Sequence, residues 1–186
     1  MELVCLDVSD VETATELLEL QRRAYEVEAG LIGSIDIPPL RETLEELQSS
    51  EETFLGALAE GRMIGAISWR ILGETIDLHR LVVDPQHFRR GVGASLVRAA
   101  LAAEPAASRA IVQTGAGNQP AKSLYRREGF EQTDEAEVLP GLRVARFSKR
   151  LSLHPRAGTQ GRLPSLLAGA APARCTAVGP CRRGSG

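Results

Sequence analysis

Residues 81–94 read LVVDPQHFRRGVGA, and the fold of the chain is decided by this stretch. A short run of branched apolar residues leads into a turn that contains Pro85, and two arginines then precede Gly91 and Gly93. An apolar helical segment begins directly after them. A strand that passes through a glycine-rich turn into a helix points several backbone N–H groups at one place, where the helix dipole adds positive charge. The stretch therefore predicts a binding site for a phosphate or pyrophosphate group at the edge of an α/β sheet.

Two common phosphate-binding motifs do not fit this turn. A P-loop needs Lys followed by Ser or Thr after its glycines, and no such pair follows here. A dinucleotide-binding turn needs a third glycine, and Leu96 stands in its position. Two glycines before a helix also occur in tight turns that bind nothing. A second segment is therefore needed to identify the ligand.

Residues 111–130, IVQTGAGNQPAKSLYRREGF, supply that second segment. They predict a short strand, a glycine loop, Asn118 as a helix N-cap and a helix that carries Tyr125. Together the two segments resemble the GCN5-related N-acetyltransferase (GNAT) superfamily. In that family the pattern P-x-x-[QR]-x-x-G-x-G/A binds the pyrophosphate of acetyl-CoA, and the pattern N-x-x-A-x-x-L-Y-x-x-x-G-F forms the second half of the cofactor groove. The second pattern is complete in this chain, with Asn118, Ala121, Leu124, Tyr125, Gly129 and Phe130.

The first pattern departs from the family at one position. Phe88 stands where the family usually has Gln or Arg. Arg89 and Arg90 follow it, so positive charge is still present beside the turn. Because the pyrophosphate is held mainly by backbone N–H groups, the departure affects an auxiliary contact and leaves the predicted site in place.

The rest of the sequence agrees with one domain of this kind. A first strand is predicted at 2–7, a helix follows Asp10, a loop covers 29–39, and a second short helix follows it. A hairpin is predicted to turn at 60–61. The resemblance covers 1–151 and implies an α/β fold, a mixed twisted sheet of about seven strands flanked by about four helices in the order β-α-α-β-β-β-α-β-α-β-β.

The composition changes after Leu151. Residues 152–186 contain five arginines, six glycines and four prolines but no Asp, Glu or Lys, and a disordered tail is predicted there. All 24 acidic residues but only 17 of the 22 basic residues precede residue 152, so the predicted domain at 1–151 carries a formal charge of −7. No apolar run is long enough for a membrane span, and the acidic start does not resemble a signal peptide, so a cytoplasmic location is expected. No cluster of His, Cys or carboxylates has metal-ligand spacing, and no metal is expected.

The resemblance implies acetyl-CoA as the cosubstrate. In similar proteins the strand before the turn is bulged and splays away from its parallel neighbour, which frees backbone groups for the pantetheine arm. Here those groups are expected at Leu81 and Val83, with the thioester oxygen held by a backbone N–H near Leu81. The expected cofactor-binding residues are Leu81, Val82, Val83, Arg89, Arg90, Gly91, Val92, Gly93, Ala94, Asn118 and Tyr125.

Tyr125 is the expected proton donor to the departing CoA thiolate. A phenol with a pKa of about 10 stays protonated at neutral pH, and it can donate to a thiolate whose pKa is about 8.5. A tyrosine at this place could instead only pack its ring between the helix and the sheet.

The general base is left open between three alternatives. Asp77 and His79 lie two residues apart on the strand that leads into the turn, and therefore on one face. His79 has the better intrinsic pKa for a base, while Asp77 has the position of a catalytic Glu in some members of the family. Deprotonation through water, without a dedicated base, is the third alternative.

The acceptor is expected to bind near Tyr25, Glu26 and Glu28 and the loop that follows them, as in similar enzymes. The negative charge of the domain favours a cationic amine. The sequence therefore predicts an acetyl-CoA-dependent N-acetyltransferase that acts on a primary amine of a small molecule or a protein, as a monomer or a homodimer. The alternative is a catalytically silent acyl-CoA-binding sensor or regulatory module. No membrane or nucleic-acid partner is expected, because no basic stripe with interleaved aromatic residues is present.

Overall fold

The computed structural model describes residues 1–32, 38–139 and 141–152. The predicted tail therefore lies, from residue 153 onward, outside the described residues. The described part contains the following helices and strands: β1 (Glu2–Leu6), α1 (Val11–Ile32), α2 (Leu44–Gln48), β2 (Thr53–Ala59), β3 (Arg62–Leu72), β4 (Thr75–Leu78), β5 (Val82–Val83), α3 (Val92–Ala103), β6 (Arg109–Gly115), α4 (Gln119–Arg127), β7 (Glu131–Leu139) and β8 (Leu142–Arg150). Two short 3₁₀ helices cover Pro38–Arg41 and Pro85–His87.

The strands form one mixed sheet in the order β1-β2-β3-β4-β6-β8-β7, with β5 also paired to β3. The β4–β6 pair is parallel, and the other pairs are antiparallel. This confirms the predicted α/β fold and element order. The single strand predicted at 75–83 is two strands, β4 and β5, because the backbone leaves the regular ladder between them.

Local sequence signals explain where the first elements begin and turn. The Asp10 carboxylate accepts a hydrogen bond from the Thr13 N–H at 2.8 Å, which caps the start of α1. The β2–β3 hairpin turns at Glu60 and Gly61, whose φ angles are 52° and 76°. Two positive φ angles in succession match the twist of the flanking strands. α1 continues to Ile32, so the first four residues of the predicted loop at 29–39 are helical, and its residues 33–37 lie outside the described residues.

The two faces of the sheet carry separate hydrophobic clusters. Consecutive side chains of β3 point to opposite faces of the sheet. Trp69 therefore packs beneath α3 and α4, while Ala66 packs beneath α1 and α2. Leu96 of α3 and Leu17 of α1 are buried at the centres of the two clusters. Helices therefore cover both faces, as predicted. No helix within the described residues is long and apolar enough to cross a membrane.

A one-residue bulge separates β4 from β5. Leu78 of β4 pairs with Trp69, and Val82 of β5 pairs with Ala66, so four residue steps on one side oppose three steps on β3. The parallel pairing of β4 with β6 ends at Leu78 and Val112. β6 continues along β8 beyond that point, so the sheet opens between β5 and the end of β6.

α3 packs closely onto β3 at Gly65. A Cβ atom at this position would lie 2.8 Å from Val92 Cγ1, 3.1 Å from Leu96 Cδ1 and 3.2 Å from the Val82 carbonyl oxygen. The missing side chain lets the helix rest directly on the strand beside β5. This contact therefore sets the distance between the start of α3 and the sheet beside the opening.

The substitution Gly65→Ala is expected to lower the free energy of unfolding by about 1–3 kcal/mol, because the added methyl group overpacks this contact. Urea denaturation measures the change. Gly30→Ala is the matched control, because no atom lies within 4 Å of its Cβ position in α1. The control should raise stability by about 1 kcal/mol, since alanine is the better helix former. Equal stability of the two variants would contradict the packing described here.

Candidate functional site

Two adjoining cavities lie where the sheet opens. The first, called the groove, has a volume of about 910 Å³ and runs along the 85–94 turn and the start of α4. The second, called the cavity, has a volume of about 970 Å³ and lies against β4, β6 and the 41–52 segment. Four residues line both and form what is called the junction, namely Tyr25, Glu28, Leu81 and Ala121.

The groove contains an uncapped helix N-terminus. Gly91 precedes α3 with a φ of 82° and offers no side chain to cap it. Ser95 donates the first backbone hydrogen bond of the helix, to the Gly91 carbonyl at 3.0 Å. The N–H groups of the first three helical residues, 92–94, therefore have no partner within the helix, and they form an anion-binding site with the helix dipole. Glycine is required at 91 because a side chain would strain this left-handed backbone.

Gly93 and Asn118 bring α3 and α4 together over the groove. A Cβ atom at Gly93 would lie 3.2 Å from Leu124 Cδ2 of α4. The Asn118 side-chain oxygen accepts a hydrogen bond from the Ala121 N–H at 3.1 Å, which confirms the predicted N-cap. The two patterns that carried the family resemblance therefore form opposite walls of one groove.

The backbone of the bulge is mostly hydrogen bonded. His79 N–H donates to the Ser68 carbonyl at 2.8 Å, and Arg80 N–H donates to Ser68 Oγ at 3.2 Å. Leu81 N–H donates to the His79 carbonyl at 3.0 Å. The N–H of Leu81, which was expected among the backbone groups near the thioester, is therefore occupied, because the bulge folds this amide back onto its own chain.

Val83 offers the backbone groups that Leu81 does not. Asp84 N–H donates to the Ile64 carbonyl at 2.9 Å, which fixes the register of β5 against β3. In an antiparallel ladder the backbone groups of consecutive residues point to opposite sides of the strand. Because Asp84 bonds to β3, the N–H and C=O of Val83 point away from β3. Val83 lines the groove, and its backbone groups are placed there for an extended ligand.

The cavity contains a buried ionic network centred on Glu52. The Glu52 side chain is only 3% exposed, and it lies 2.8 Å from Arg80 Nε and 3.1 Å from His79 Nδ1. Ser68 Oγ donates to it at 2.6 Å. Arg80 also contacts Glu42, just before α2, at 2.6 Å. Arg80 thereby ties the bulge to two other parts of the chain. Burial opposes ionisation of Glu52, but the hydrogen bonds from His79 and Ser68 and the Arg80 charge outweigh it and lower its pKa.

His79 lies between two carboxylates. Its Nε2 is 3.2 Å from Asp77 Oδ2, and its Nδ1 faces Glu52. Since ionised carboxylates only accept hydrogen bonds, a proton on each ring nitrogen would give both of them a carboxylate partner. The hydrogen bond to Glu52 raises the pKa of His79, although partial burial opposes the shift. An imidazolium with both nitrogens occupied has no lone pair to accept a proton, which disfavours His79 as a general base.

Tyr125 lines the cavity and not the groove. It is 3% exposed, and its ring packs against Phe130 and Phe147 with centroid separations of 5.8 and 5.7 Å. Burial, and then the negative charge of Glu28, raise the pKa of its phenol. Tyr125 is therefore protonated at neutral pH, and it faces the cavity next to the junction.

The predicted acceptor residues separate into two groups on α1. Tyr25 and Glu28 line the junction, and Glu28 Oε1 lies 3.4 Å from Thr114 Oγ1 of β6. Burial, and then the charge of Glu28, raise the pKa of Tyr25. Glu26 is exposed and lines neither cavity, so the structure does not bring it together with Tyr25 and Glu28. It lies on the solvent-facing side of the helix.

Most of the expected cofactor residues lie together in the groove. Arg90 is the exception besides Tyr125, because its exposed side chain does not line the groove. The groove-lining residues from the prediction are Leu81, Val82, Val83, Arg89, Gly91, Val92, Gly93, Ala94 and Asn118. No sequence signal pointed to Glu42 and Glu52, because in the sequence they resemble ordinary solvated glutamates.

The charges that line the cavity are balanced. Five carboxylates face it, at Glu28, Glu42, Glu46, Glu52 and Asp77. The opposing charges are those of His79 and of four arginines, Arg41, Arg80, Arg109 and Arg146. The expected preference for a cationic acceptor therefore does not follow from the net charge of the cavity. Within the described ranges no group of three or more His, Cys, Asp or Glu side chains could hold a metal ion.

The comparison with known proteins agrees with this geometry. Residues 14–130 match the acetyltransferase (GNAT) family. The chain belongs to the GNAT family. A curated relative, the UPF0157 protein YqkA of Bacillus subtilis (strain 168), is 34% identical over 142 residues, which are 76% of this chain and 41% of that protein. The chain thus spans less than half the length of this relative. Membership of the GNAT family indicates acetyl transfer as the class of reaction.

Solved structures share the fold of this GNAT domain. The PaiA N-acetyltransferase of Thermoplasma acidophilum, in complex with coenzyme A, has a TM-score of 0.67 and 20% identity over 81% of this chain and 100% of its own. The protein smu.2055 of Streptococcus mutans UA159 has a TM-score of 0.68 and 18% identity, covering 82% and 100%. The ribosomal-protein-S18-alanine N-acetyltransferase of Escherichia coli has a TM-score of 0.64 and 14% identity, covering 84% and 97%.

The substitution His79→Gln is expected to cost most stability in mildly acidic solution. The pKa of His79 is raised above its ordinary value of 6.5, so its ionic contribution is complete below that value and is lost as the pH rises through the raised pKa. Urea denaturation of wild type and variant at about pH 5.5, 7 and 8.5 measures the difference in unfolding free energy. The difference should shrink with increasing pH. A difference that grows with pH would contradict the assignment of a charged His79.

Proposed function

We propose that this protein transfers an acetyl group from acetyl-CoA directly to a primary amine, as an N-acetyltransferase acting on a small molecule or a protein. One observation carries the proposal. The anion-binding groove and the cavity that holds Tyr125 meet at the junction, where the sheet opens. A thioester bound through the groove would end where an acceptor in the cavity can reach it.

The groove suits the two halves of the cofactor. The N–H groups of 92–94 and the Arg89 side chain would bind the pyrophosphate. The N–H and C=O of Val83 would bond the amides of the pantetheine arm, much as a neighbouring strand would. Leu81 and Ala121 line the junction and would surround the acetyl group. Arg90, which lies outside the groove, is left with at most a long-range electrostatic role.

The chemistry needs a nucleophilic amine and a proton for the leaving group. The neutral amine attacks the thioester carbonyl carbon, and collapse of the tetrahedral intermediate breaks the C–S bond. The departing thiolate then takes the phenolic proton of Tyr125, which stays bound at neutral pH because burial raises the pKa of the phenol. Because a raised pKa also makes the phenol a weaker acid, the transfer is completed when the acceptor nitrogen returns a proton to the phenolate. No cysteine lines either cavity among the described residues, which favours direct transfer over an acetyl-cysteine intermediate.

The solved relatives support an amine acceptor without identifying it. Two of them are N-acetyltransferases by name, one of which was solved with coenzyme A and the other of which acts on the alanine of ribosomal protein S18. Small amines and protein amino groups are both acceptors that an N-acetyltransferase can use. The balanced charge of the cavity suits an acceptor with groups of both signs as well as a simple cation.

The substitution Tyr125→Phe is expected to lower kcat by about 100-fold, because it removes the proton donor while keeping the ring that packs in the core. Calorimetric titration of the full chain with acetyl-CoA should give the same Kd for wild type and variant, since Tyr125 lies outside the groove. Turnover is measured by thiol release with a panel of small amines and N-terminal peptides. Full activity of the variant would remove Tyr125 as the donor.

The same experiment tests the proposed function itself. Binding of acetyl-CoA with turnover of at least one amine would support it. Binding without turnover of any amine in the panel would instead favour the silent acyl-CoA-binding module. No binding by the folded chain would contradict both, and NAD and ATP serve as the control ligands for the specificity of the groove.

A further inference from the structure

Glu28 occupies the place where the groove and the cavity meet. It lies near the end of α1 and lines both spaces. Its Oε1 is 3.4 Å from Oγ1 of Thr114, two positions beyond Val112, the last β6 residue that pairs with β4. The carboxylate therefore reaches from the helix across the opening in the sheet, to the strand that borders it on the other side.

The other four carboxylates of the cavity are held by partners of their own. These partners are ring nitrogens, guanidinium groups, a hydroxyl, a side-chain amide or a helix cap, and each occupies oxygens that a base would need. Asp77 faces His79, Glu52 faces His79, Ser68 and Arg80, Glu42 faces Arg80 and Gln21, and Glu46 accepts the Thr43 N–H. In the described part of the chain, Glu28 accepts a hydrogen bond from the Thr114 hydroxyl, which is neutral and lies 3.4 Å away.

Glu28 and Tyr125 line the same cavity. Its charge raises the pKa of the Tyr125 phenol, and it does the same to Tyr25. Ala121 lines the junction one helical turn before Tyr125, so the phenol and the carboxylate approach the same small region from α4 and from α1. A proton acceptor and a proton donor therefore flank the place where the acetyl group would lie.

We propose that Glu28 is the general base that deprotonates the acceptor amine, an inference that rests on the proposed N-acetyl transfer. The Glu28 carboxylate takes one proton from the acceptor ammonium, directly or through one water, and the freed nitrogen lone pair forms the N–C bond. When the C–S bond breaks, its electron pair leaves on sulfur, which takes the Tyr125 proton. The second proton of the acceptor nitrogen restores the phenol, and the proton on Glu28 passes to solvent. The balance is amide, CoA thiol and one released proton.

Asp77 is the less suitable of the two carboxylates near the opening. Asp77 lies opposite Ile111, within the segment where β4 and β6 still pair, so it sits below the point at which the strands part. Its Oδ2 is committed to His79 at 3.2 Å. Glu28 differs in both respects, since it lines the junction and forms no ion pair among the described residues.

The test compares Glu28→Gln with Glu26→Gln. The control removes a charge two positions away on the same helix, from an exposed side chain that lines neither space. At about pH 7 the Glu28→Gln variant should lose about 100-fold or more in kcat, with the Kd for acetyl-CoA unchanged, and Glu26→Gln should behave as wild type. The deficit of Glu28→Gln should shrink as the pH approaches about 10, where an alkylamine is already neutral and needs no base. A merely structural role would not produce this pH dependence.

A second variant keeps the result clear if Glu28→Gln folds poorly. Glu28→Ala leaves space for a small external acid, and formate or azide should restore part of its activity in proportion to concentration. Activity of Glu28→Gln near that of wild type, or a deficit that is constant with pH and not rescued in Glu28→Ala, would overturn the assignment while leaving the transferase intact. Wild type that binds acetyl-CoA but turns over no amine would overturn the proposed function, and the base assignment with it.

Discussion

The extra residue between β4 and β5 is the constraint on which the rest of the site depends. It shifts the register against β3 by one position, so β5 stays on β3 while β6 follows β8. A regular strand would have continued its pairing with β6 and closed the sheet. The bulge costs regular ladder hydrogen bonds, which Ser68 and the His79 carbonyl partly replace. The opening is therefore built into the backbone of the fold.

Charged groups that line the cavity stabilise the shape of this opening. Arg80 belongs to the bulge, and Glu42 and Glu52 bind it from two different segments. Removing one carboxylate would leave the partly buried Arg80 cation poorly compensated, which costs more than the pair contributes as a whole. On the other side, Gly65 lets α3 approach the sheet, so the anion-binding N–H groups stand beside β5. The two sides together set the path from the turn to the junction.

The sequence predicted the parts whose causes are local. The Gly91 turn and the Asn118 cap depend on residues within a few positions of each other, so their patterns can be recognised in the chain. The Glu52 network could not be predicted, because Glu52 meets His79 and Arg80 over separations of 27 and 28 residues. Glu26 and Glu28 could not be separated without the extent of α1. Because the helix continues past both, two residue steps rotate the side-chain direction by about 200°, so the two side chains point to nearly opposite sides of the helix. Only Glu28 faces the junction.

We propose that acetyl-CoA binds along the opening, with its pyrophosphate on the start of α3 and its pantetheine arm on Val83. An amide-resolved ¹H–¹⁵N NMR titration of the full chain with acetyl-CoA tests this placement. The largest shifts should fall on the amides of Val83, Val92, Gly93 and Ala94, and the amides of the edge strands β1 and β7 should stay unchanged. Saturable shifts that bypass these four amides, or no shifts at all, would contradict this placement.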